Sequence, residues 1–204
     1  MPAFEPIRVS APDGPRVAAL LARAFQDDPE MVYAFADATE RARALPRLIS
    51  LNVRYGLLFG EVYAAPDWQG AAVWLPPGQT RFTVARVLRA GMLAAPLRLP
   101  WRTLRRLATL GRRAAGLHAR HAPDPHWYLS QLGVEPTHQR QGIASGLLAP
   151  ILARCDAERL PCYLETANPA NIAFYQRHGF AVVDESRPDT DIPGLWALRR
   201  DTRS

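Results

Sequence analysis

The sequence predicts a mixed α/β domain, and three observations carry that expectation. The last third of the chain reads strand, turn, helix, strand, helix, strand, alternating period-2 with period-3.6 hydrophobic patterns. Its 204 residues suffice for a single domain spanning 1–204 with one sizeable core. Apolar residues make up 48% and charged residues 22%, a globular balance that excludes a disordered chain.

Each element has its own signal. Pro6 to Val9 is short and extended, a first strand. Asp13 is placed to cap a helix with Pro15 in its first turn, and Val17, Leu20, Leu21, Ala24 and Phe25 recur at helical spacing. Asp27-Asp28-Pro29 stops that helix, because the residue before a proline avoids the helical region. A second helix starts near Glu30, and Thr39 is placed to cap a longer one carrying Leu45, Leu48, Ile49, Leu51 and Val53. Glu61–Ala65 and Ala71–Leu75 read as a hairpin around the turn Pro66–Gly70.

A helical segment of about 79–122 follows, read as an insertion of two helices, Arg81 to Ala95 and Trp101 to Ala119, split by Pro96 and Pro100. In the second, Trp101, Leu104, Ala108 and Ala115 form the expected apolar stripe, with Arg102, Arg105, Arg106, Arg112 and Arg113 mostly off it. Strands are then expected at His126–Val134, Cys162–Thr166, from Phe180 and at Ile192–Arg199. After Gln139–Ala144, in which a helix opens with glycine and alanine in its first turn, an apolar helix is expected to run to about Glu158, and another from Pro169 or Ala170 to His178, ended by Gly179. Pro150 should kink its helix, with Gly146 leaving room for the proline ring.

Charge and cysteine usage narrow the class. All 25 basic residues are Arg. Between Asp67 and Asp124 there are ten Arg and no acid, while the remainder carries 15 Arg against 19 acids. The net charge of +6 therefore belongs to one internal segment. No uninterrupted apolar run is long enough to span a membrane, and residues 1–10 lack the apolar stretch of a secretory leader. Cys155 and Cys162 make no disulfide framework and lack metal-site spacing, and Cys155 reads as a small buried hydrophobe. His118, His121, His126 and His138 form no coherent metal set, with His118 and His121 read as surface residues; no metal is expected. A reducing, cytoplasmic location fits these features.

The chemistry concentrates in one constellation. At Gln139-Arg140-Gln141-Gly142-Ile143-Ala144 a strand and turn lead into a helix that opens with small residues. Helix N-termini present unpaired backbone N–H groups and positive dipole ends, and small residues let a diphosphate approach them. Leu132-Gly133-Val134, Gln139-x-x-Gly142-x-Ala144, Glu165-Thr166, Asn168-x-x-Asn171 and Phe174-Tyr175-x-x-x-Gly179-Phe180 follow one another in that order. In this order and setting the sequence resembles the GNAT superfamily of acetyl-CoA-dependent N-acetyltransferases, and within it the puromycin N-acetyltransferase group. The close match covers about residues 126–183.

The resemblance implies a mixed, mostly antiparallel central sheet with helices on both faces and a splayed strand pair, here Trp127–Val134 and Cys162–Thr166. It implies that coenzyme A lies in the wedge. The main chain of Leu132 and Val134 would serve the pantetheine arm, with Gly133 tolerating a bulge. Gln139, Arg140, Gln141, Gly142, Ile143 and Ala144 would hold the diphosphate, and Asn171 would hydrogen-bond the arm. The implied reaction moves an acetyl group from acetyl-CoA to an amine by direct attack through a tetrahedral intermediate.

Tyr175 fits the family's general acid, and Glu165 is the candidate base or amine-orienting carboxylate, directly or through water. Their ordinary roles would be a core aromatic and a strand-end acid. Asn171 could equally cap its helix. For the acceptor, Asp27 and Asp28 can attract a cation or merely form a turn. Tyr33, Phe35 and Trp74 can line a wall or fill the core, and Ser130 and Gln131 can face either site.

The leading reading is an acyltransferase acting on a small-molecule amine, monomeric or homodimeric, with no nucleic-acid partner and no membrane span. The alternatives are an acyl-CoA-binding sensor or scaffold whose Arg-rich insert binds nucleic acid or an anionic membrane, and a protein lysine or N-terminal acetyltransferase.

Overall fold

The computed structural model describes residues 4–91, 99–187 and 191–202. Its centre is a seven-stranded sheet in the order β1-β2-β3-β4-β5-β7-β6. The strands are β1 (Ile7–Arg8), β2 (Glu61–Ala64), β3 (Gly70–Leu75), β4 (Trp127–Val134), β5 (Cys162–Thr166), β6 (Ala181–Ser186) and β7 (Leu195–Arg200). Every neighbouring pair is antiparallel except β4–β5. The helices are α1 (Gly14–Ala24), α2 (Pro29–Ala34), α3 (Ala38–Phe59), α4 (Val84–Arg89), α5 (Trp101–His121), α6 (Ile143–Glu158) and α7 (Ile172–Arg177).

The period-2 alternation of the strands sorts the molecule into three layers. Ala72 and Trp74 of β3, Trp127 and Leu129 of β4, and Cys162 and Leu164 of β5 pack with Leu147, Leu148, Ile151 and Tyr175 of α6 and α7. The alternate residues Ala71 and Val73 pack with Val17, Leu21, Leu45 and Ile49 of α1 and α3. On that same face Tyr163 and Ala197 pack against Leu117 of α5. One face of the sheet is thus covered by α6 and α7, the other by α1 to α5.

The central pair is where the sheet opens. β4 and β5 run parallel and pair only at Trp127↔Cys162 and Tyr128↔Tyr163. Beyond that β4 continues on β3 alone, and β5 continues on β7 alone. The β3–β4 register jumps from Trp74↔Leu129 to Val73↔Gln131, so Ser130 is the extra residue of a bulge. The expected bulge at Gly133 is therefore displaced. Gly133 pairs in register with Ala71, and its lack of a side chain has another cause: a Cβ would stand 2.7 Å from Leu21 and 2.9 Å from Ala24. The glycine lets α1 press against β4.

Several local expectations change for similar reasons. Asp13 ends a 3-10 turn and its carboxylate accepts from the Ser10 hydroxyl (2.9 Å), leaving α1 without a side-chain cap. Asp37, not Thr39, caps α3 by accepting from the Glu40 N–H. α6 continues as one helix through Pro150, and Gly146 is small because the Phe4 ring lies 2.7 Å from its Cβ position.

The inward stripe of α5 is Thr103, Leu110 and Leu117, with Trp101 64% exposed under the Arg105 guanidinium. Arg106 donates to the Tyr33 carbonyl, and Arg113 donates to the carbonyls of Pro193 and Ser186. These two arginines tie α5 to the body. Their planar donors satisfy carbonyls that the apolar stripe alone would leave bare. Of the first Arg-rich helix, α4 is only Val84–Arg89, and its predicted continuation over 92–95 lies outside the described residues. Among the described residues no helix is long and apolar enough to cross a membrane.

Gly133→Ala is expected to destabilise the fold by about 1–3 kcal/mol, because α1 and β4 are both backbone-anchored and cannot give way. Thermal unfolding should show a fall of several degrees, and an unchanged midpoint would contradict the packing role of this glycine.

Candidate active site

The wedge and the turn that follows β4 form one half of the site. From Leu129 to Val134 the β5-facing edge of β4 has no strand partner, so extended backbone is left to pair with an added strand-like group. The Val134 carbonyl accepts from Gln139 Nε2 at 3.4 Å, which folds the Gln139 side chain back onto the strand. Arg140 and Gly142 both have left-handed backbone, with φ of 62° and 81°. This pair of reversals turns the chain sharply into α6. Gly142 is the N-cap, and no side chain caps the helix. Nothing lies within 4 Å of the position a Gly142 Cβ would occupy. The space beside Gly142, at the uncapped start of a 16-residue helix, is therefore free, a cradle suited to an anion.

Tyr175 lies on the same side as α6. It is 7% exposed, in the core with Leu164 and Cys162 and beside the rings of Phe174 and Phe180. Burial, with the nearby Asp28 charge, pushes its phenol well above the ordinary range, so the hydroxyl stays protonated at neutral pH. Asn171 precedes α7 and donates from Nδ2 to Thr166 Oγ1 at 3.4 Å; the capping carboxamide is that of Asn168, which accepts from the Ala170 N–H.

The other half lies on the opposite face of β5. Glu165 alternates with Leu164 and points toward α5, and its side chain is 6% exposed. Oε2 accepts from the Tyr128 hydroxyl at 2.8 Å, whereas Oε1 is buried without a hydrogen-bond partner. The buried Tyr163 hydroxyl faces the same carboxylate, also without hydrogen-bonding geometry. Desolvation dominates and lifts the Glu165 carboxyl to about 8, against the pull of the two tyrosine hydroxyls and with help from the Glu30 charge. Glu30 is itself lifted to about 7 by burial and by Asp28. Asp28 caps α2 through the Glu30 N–H (2.9 Å), and burial raises it too. Asp28 thus raises Glu30 and Glu30 raises Glu165, two like-charge couplings in a row.

The residues singled out from sequence separate into groups. Asp28 and Glu165 meet electrostatically through Glu30. Tyr33 is half-buried, with the Arg106 guanidinium 5.1 Å from its ring centre. Phe35 is core. Trp74 does not line the acceptor side: it is fully buried on the α6 face among Trp127, Leu147 and Leu148, with no surface to offer a substrate. Ser130 is the half-buried bulge residue. Gln131 pairs with Val73 and so faces the α1–α3 side, with a buried, unpartnered Oε1.

Four residues with site contacts were missed as such: Glu30, Tyr128, His118 and His126. His118, expected on the surface, is 14% exposed at its side chain, and its Nδ1 lies 3.9 Å from Glu165 Oε1. Strand alternation could have placed Tyr128 beside Glu165. Nothing local in the sequence places His118 of α5 against Glu165 and the β4-adjacent His126, because it arrives by the packing of α5 on the sheet.

A sequence profile of the Acetyltransferase (GNAT) family matches residues 103–180. An uncharacterized N-acetyltransferase of Schizosaccharomyces pombe is 30% identical over 180 residues, covering 85% of this chain and 72% of the relative. The chain belongs to the GNAT acetyltransferase family.

Two solved structures share the fold. A histone acetyltransferase HPA2 and related acetyltransferase from Corynebacterium glutamicum is 20% identical, with a TM-score of 0.66 over 98% of each chain. Arylalkylamine N-acetyltransferase 2 from Aedes aegypti is 12% identical, with a TM-score of 0.63 over 98% of this chain and 99% of the other. GNAT enzymes are acyltransferases that take the acyl group from acetyl-CoA. The residues present fit that donor: the uncapped α6 N-terminus and the open Gly142 cradle suit its diphosphate, and the unpaired β4 edge suits its amide-bearing arm.

Gly142→Asp should weaken coenzyme A binding at least about tenfold in calorimetry, since it forces a side chain into left-handed backbone and adds a negative charge to the cradle. Unchanged affinity would remove the turn from the site. A second expectation concerns stability. Glu165 titrates near 8 in the fold and near 4.5 when unfolded, so its contribution is full below about 4.5 and is lost as pH rises through 8. Glu165→Gln should therefore flatten part of the fall in Tm between pH 5 and 9 and gain on the parent at the alkaline end. Parallel Tm–pH curves for the two proteins would contradict the raised carboxyl.

Proposed function

We propose that this GNAT enzyme acetylates an amine of a small molecule, with Glu165 as the base and Tyr175 as the acid. One observation carries the reading. A cavity of about 800 Å³ lies beneath α5, lined by Thr80, Phe82, Ala115, His118 and Tyr128 among others, and it reaches Glu165. That volume is in the range of small-ligand pockets. Its walls mix apolar and aromatic groups (Phe82, Ala115, Tyr128) with the cationic Arg81 and Arg86 and the two histidines, and its floor is the Glu165 carboxylate, which is the group placed to receive an amine head. α5 roofs the chamber and is fastened by Arg106 and Arg113, which favours a small acceptor over an extended peptide.

Acetyl-CoA supplies, when bound, the electrophilic thioester carbonyl and a thiolate leaving group. The backbone N–H groups at the start of α6 hold the diphosphate. The β4 edge from Leu129 to Val134 pairs with the pantetheine arm and orients it in the wedge. On the acceptor face, ionised Glu165 takes a proton from the amine at Oε1, the oxygen that Tyr128 leaves free. Asp28 and Glu30 add negative potential that draws the cationic amine in. On the donor face, the neutral Tyr175 hydroxyl donates a proton to the departing sulfur. The two groups sit on opposite faces of β5, so acid and base do not neutralise one another.

The test is thiol release from acetyl-CoA against a panel of polyamines, amino acids, aminoglycosides, aminonucleosides and peptides. The expected result is turnover of at least one small amine in preference to peptides. Glu165→Gln and Tyr175→Phe are each expected to lower kcat by about 10²–10⁴-fold. The wild-type kcat/KM should rise with pH to a plateau above about 8, where Glu165 is ionised. Preference for peptides, or full activity in both variants, would overturn the assignment.

A further inference from the structure

The structure holds a histidine pair that the mechanism above does not use. His118 on α5 and His126 just before β4 approach with Nε2 to Nε2 at 2.8 Å. His126 Nδ1 lies 2.6 Å from the Asp124 carbonyl oxygen. A carbonyl only accepts, so His126 carries its proton on Nδ1. Its Nε2 is then a lone pair, and His118 must donate to it from Nε2. The consequence is fixed at the far end of the chain: His118 Nδ1 is a bare lone pair, and it faces Glu165 Oε1 at 3.9 Å. That oxygen is the buried one without a partner, because Tyr128 occupies Oε2. Donor and acceptor roles are set along the whole line from the Asp124 carbonyl to the base.

We propose that His118, held in one tautomer by His126, is the proton outlet of Glu165. This deepens the assignment of Glu165 as the base and rests on it. The amine N–H bond breaks as the Oε1–H bond forms. That bond then breaks as the proton moves to His118 Nδ1, through a short closure or one bridging water. The Nδ1–H bond finally breaks as the proton passes to water in the chamber, whose lining includes both histidines. Glu165 and neutral His118 are restored, and the net result is one proton delivered from the amine to solvent. The rim residue Phe82 is 47% exposed, so the chamber communicates with solvent.

The surroundings of His118 fit a transient carrier. The rings of Tyr128 and Tyr163 pack 4.6 Å and 4.9 Å from it, and Arg81 faces both histidines with like charge. Arg199 also faces His126, opposed by Asp124. Burial, then the His126 and Arg81 charges, lower the His118 imidazole to about 4, which keeps it neutral between turnovers and ready to accept. Transfer from the raised carboxyl to the lowered imidazole runs uphill, so the protonated imidazole is a minor and short-lived carrier rather than a resting state.

Two measurements test this. Long-range ¹⁵N–¹H correlation spectra of the wild-type protein at neutral pH should show His118 protonated at Nε2 and His126 at Nδ1. A His118 ring protonated at Nδ1 overturns the relay without any need for an acceptor. The kinetic arm uses acetyl-CoA with the panel amine that the wild type turns over fastest. His118→Ala is expected to lower kcat about 10–100-fold with little change in acceptor KM. Added imidazole and methylimidazoles should restore turnover in proportion to their basicity.

His118→Asn keeps the size and polarity of the site, so it checks for misfolding. It should unfold at close to the wild-type Tm yet share the loss of kcat. Wild-type kcat in His118→Asn, or a loss in His118→Ala that no imidazole restores, overturns the relay. Glu165→Gln separates the two claims. If it is inactive and not restored by imidazole while His118→Asn is fully active, only the outlet fails. If it is itself fully active, the base assignment fails and the outlet with it.

Discussion

Two residue pairs hold β4 to β5, and everything about the site follows from their stopping there. Trp127↔Cys162 and Tyr128↔Tyr163 close the sheet at one end. Past them each strand keeps its outer partner and loses its inner one. A sheet seldom leaves backbone unpaired in its interior, because buried N–H and C=O groups need partners. Here the opening is maintained from both sides. Helix α6 follows β4 after the turn at residues 135–142 and packs Leu147 and Leu148 against one face of the sheet beside the wedge. The α1 helix presses on Gly133 from the opposite face of the same strand. The unpaired edge has the spacing and polarity to take up an extended amide-bearing chain.

The same parting gives the two faces of β5 separate work. Leu164 and Glu165 are consecutive, yet one belongs to the α6–α7 core and the other to the chamber beneath α5. An acid can therefore be kept protonated by burial on one side while a carboxylate is kept basic by burial on the other. The direction is the same in both cases, since desolvation disfavours the charged form of either group. In the proposed assignment it serves opposite ends: it would hold the Tyr175 proton in place for donation, and it brings Glu165 near 8, where a carboxylate can compete for an ammonium proton at ordinary pH. The cost is a buried carboxyl that weakens the fold in alkali. Active sites commonly carry such a local penalty, which the rest of the core offsets.

Most of the element order was legible in the sequence because strand alternation and helix spacing are local properties. The strand–turn–helix at 132–144 and the Tyr175 helix were legible for the same reason: a tight turn into a helix needs particular residues at particular positions. Positions governed by distant packing were not. Trp74 read equally as wall or core because aromatic residues suit both, and only the fold shows it wholly buried. Gly133 read as a bulge because glycine tolerates one, whereas the fold uses its missing Cβ to admit α1. The α5 stripe was misplaced because alanines and arginines leave the helix phase weakly marked; Arg106 and Arg113 turn inward to carbonyls, which no hydropathy pattern records. His118 and His126 are eight residues apart and meet only because α5 turns back onto β4.

The claim on which the account stands is that the parted edge of β4 and the opening turn of α6 together receive the acyl donor. Amide hydrogen exchange on the protein with and without coenzyme A tests it most directly, because it reads those backbone groups one stretch at a time. The account predicts slowed exchange confined to residues 129–134 and 140–146 when the ligand is added. Unchanged exchange in both stretches at saturating ligand, or protection appearing only beneath α5, would contradict it.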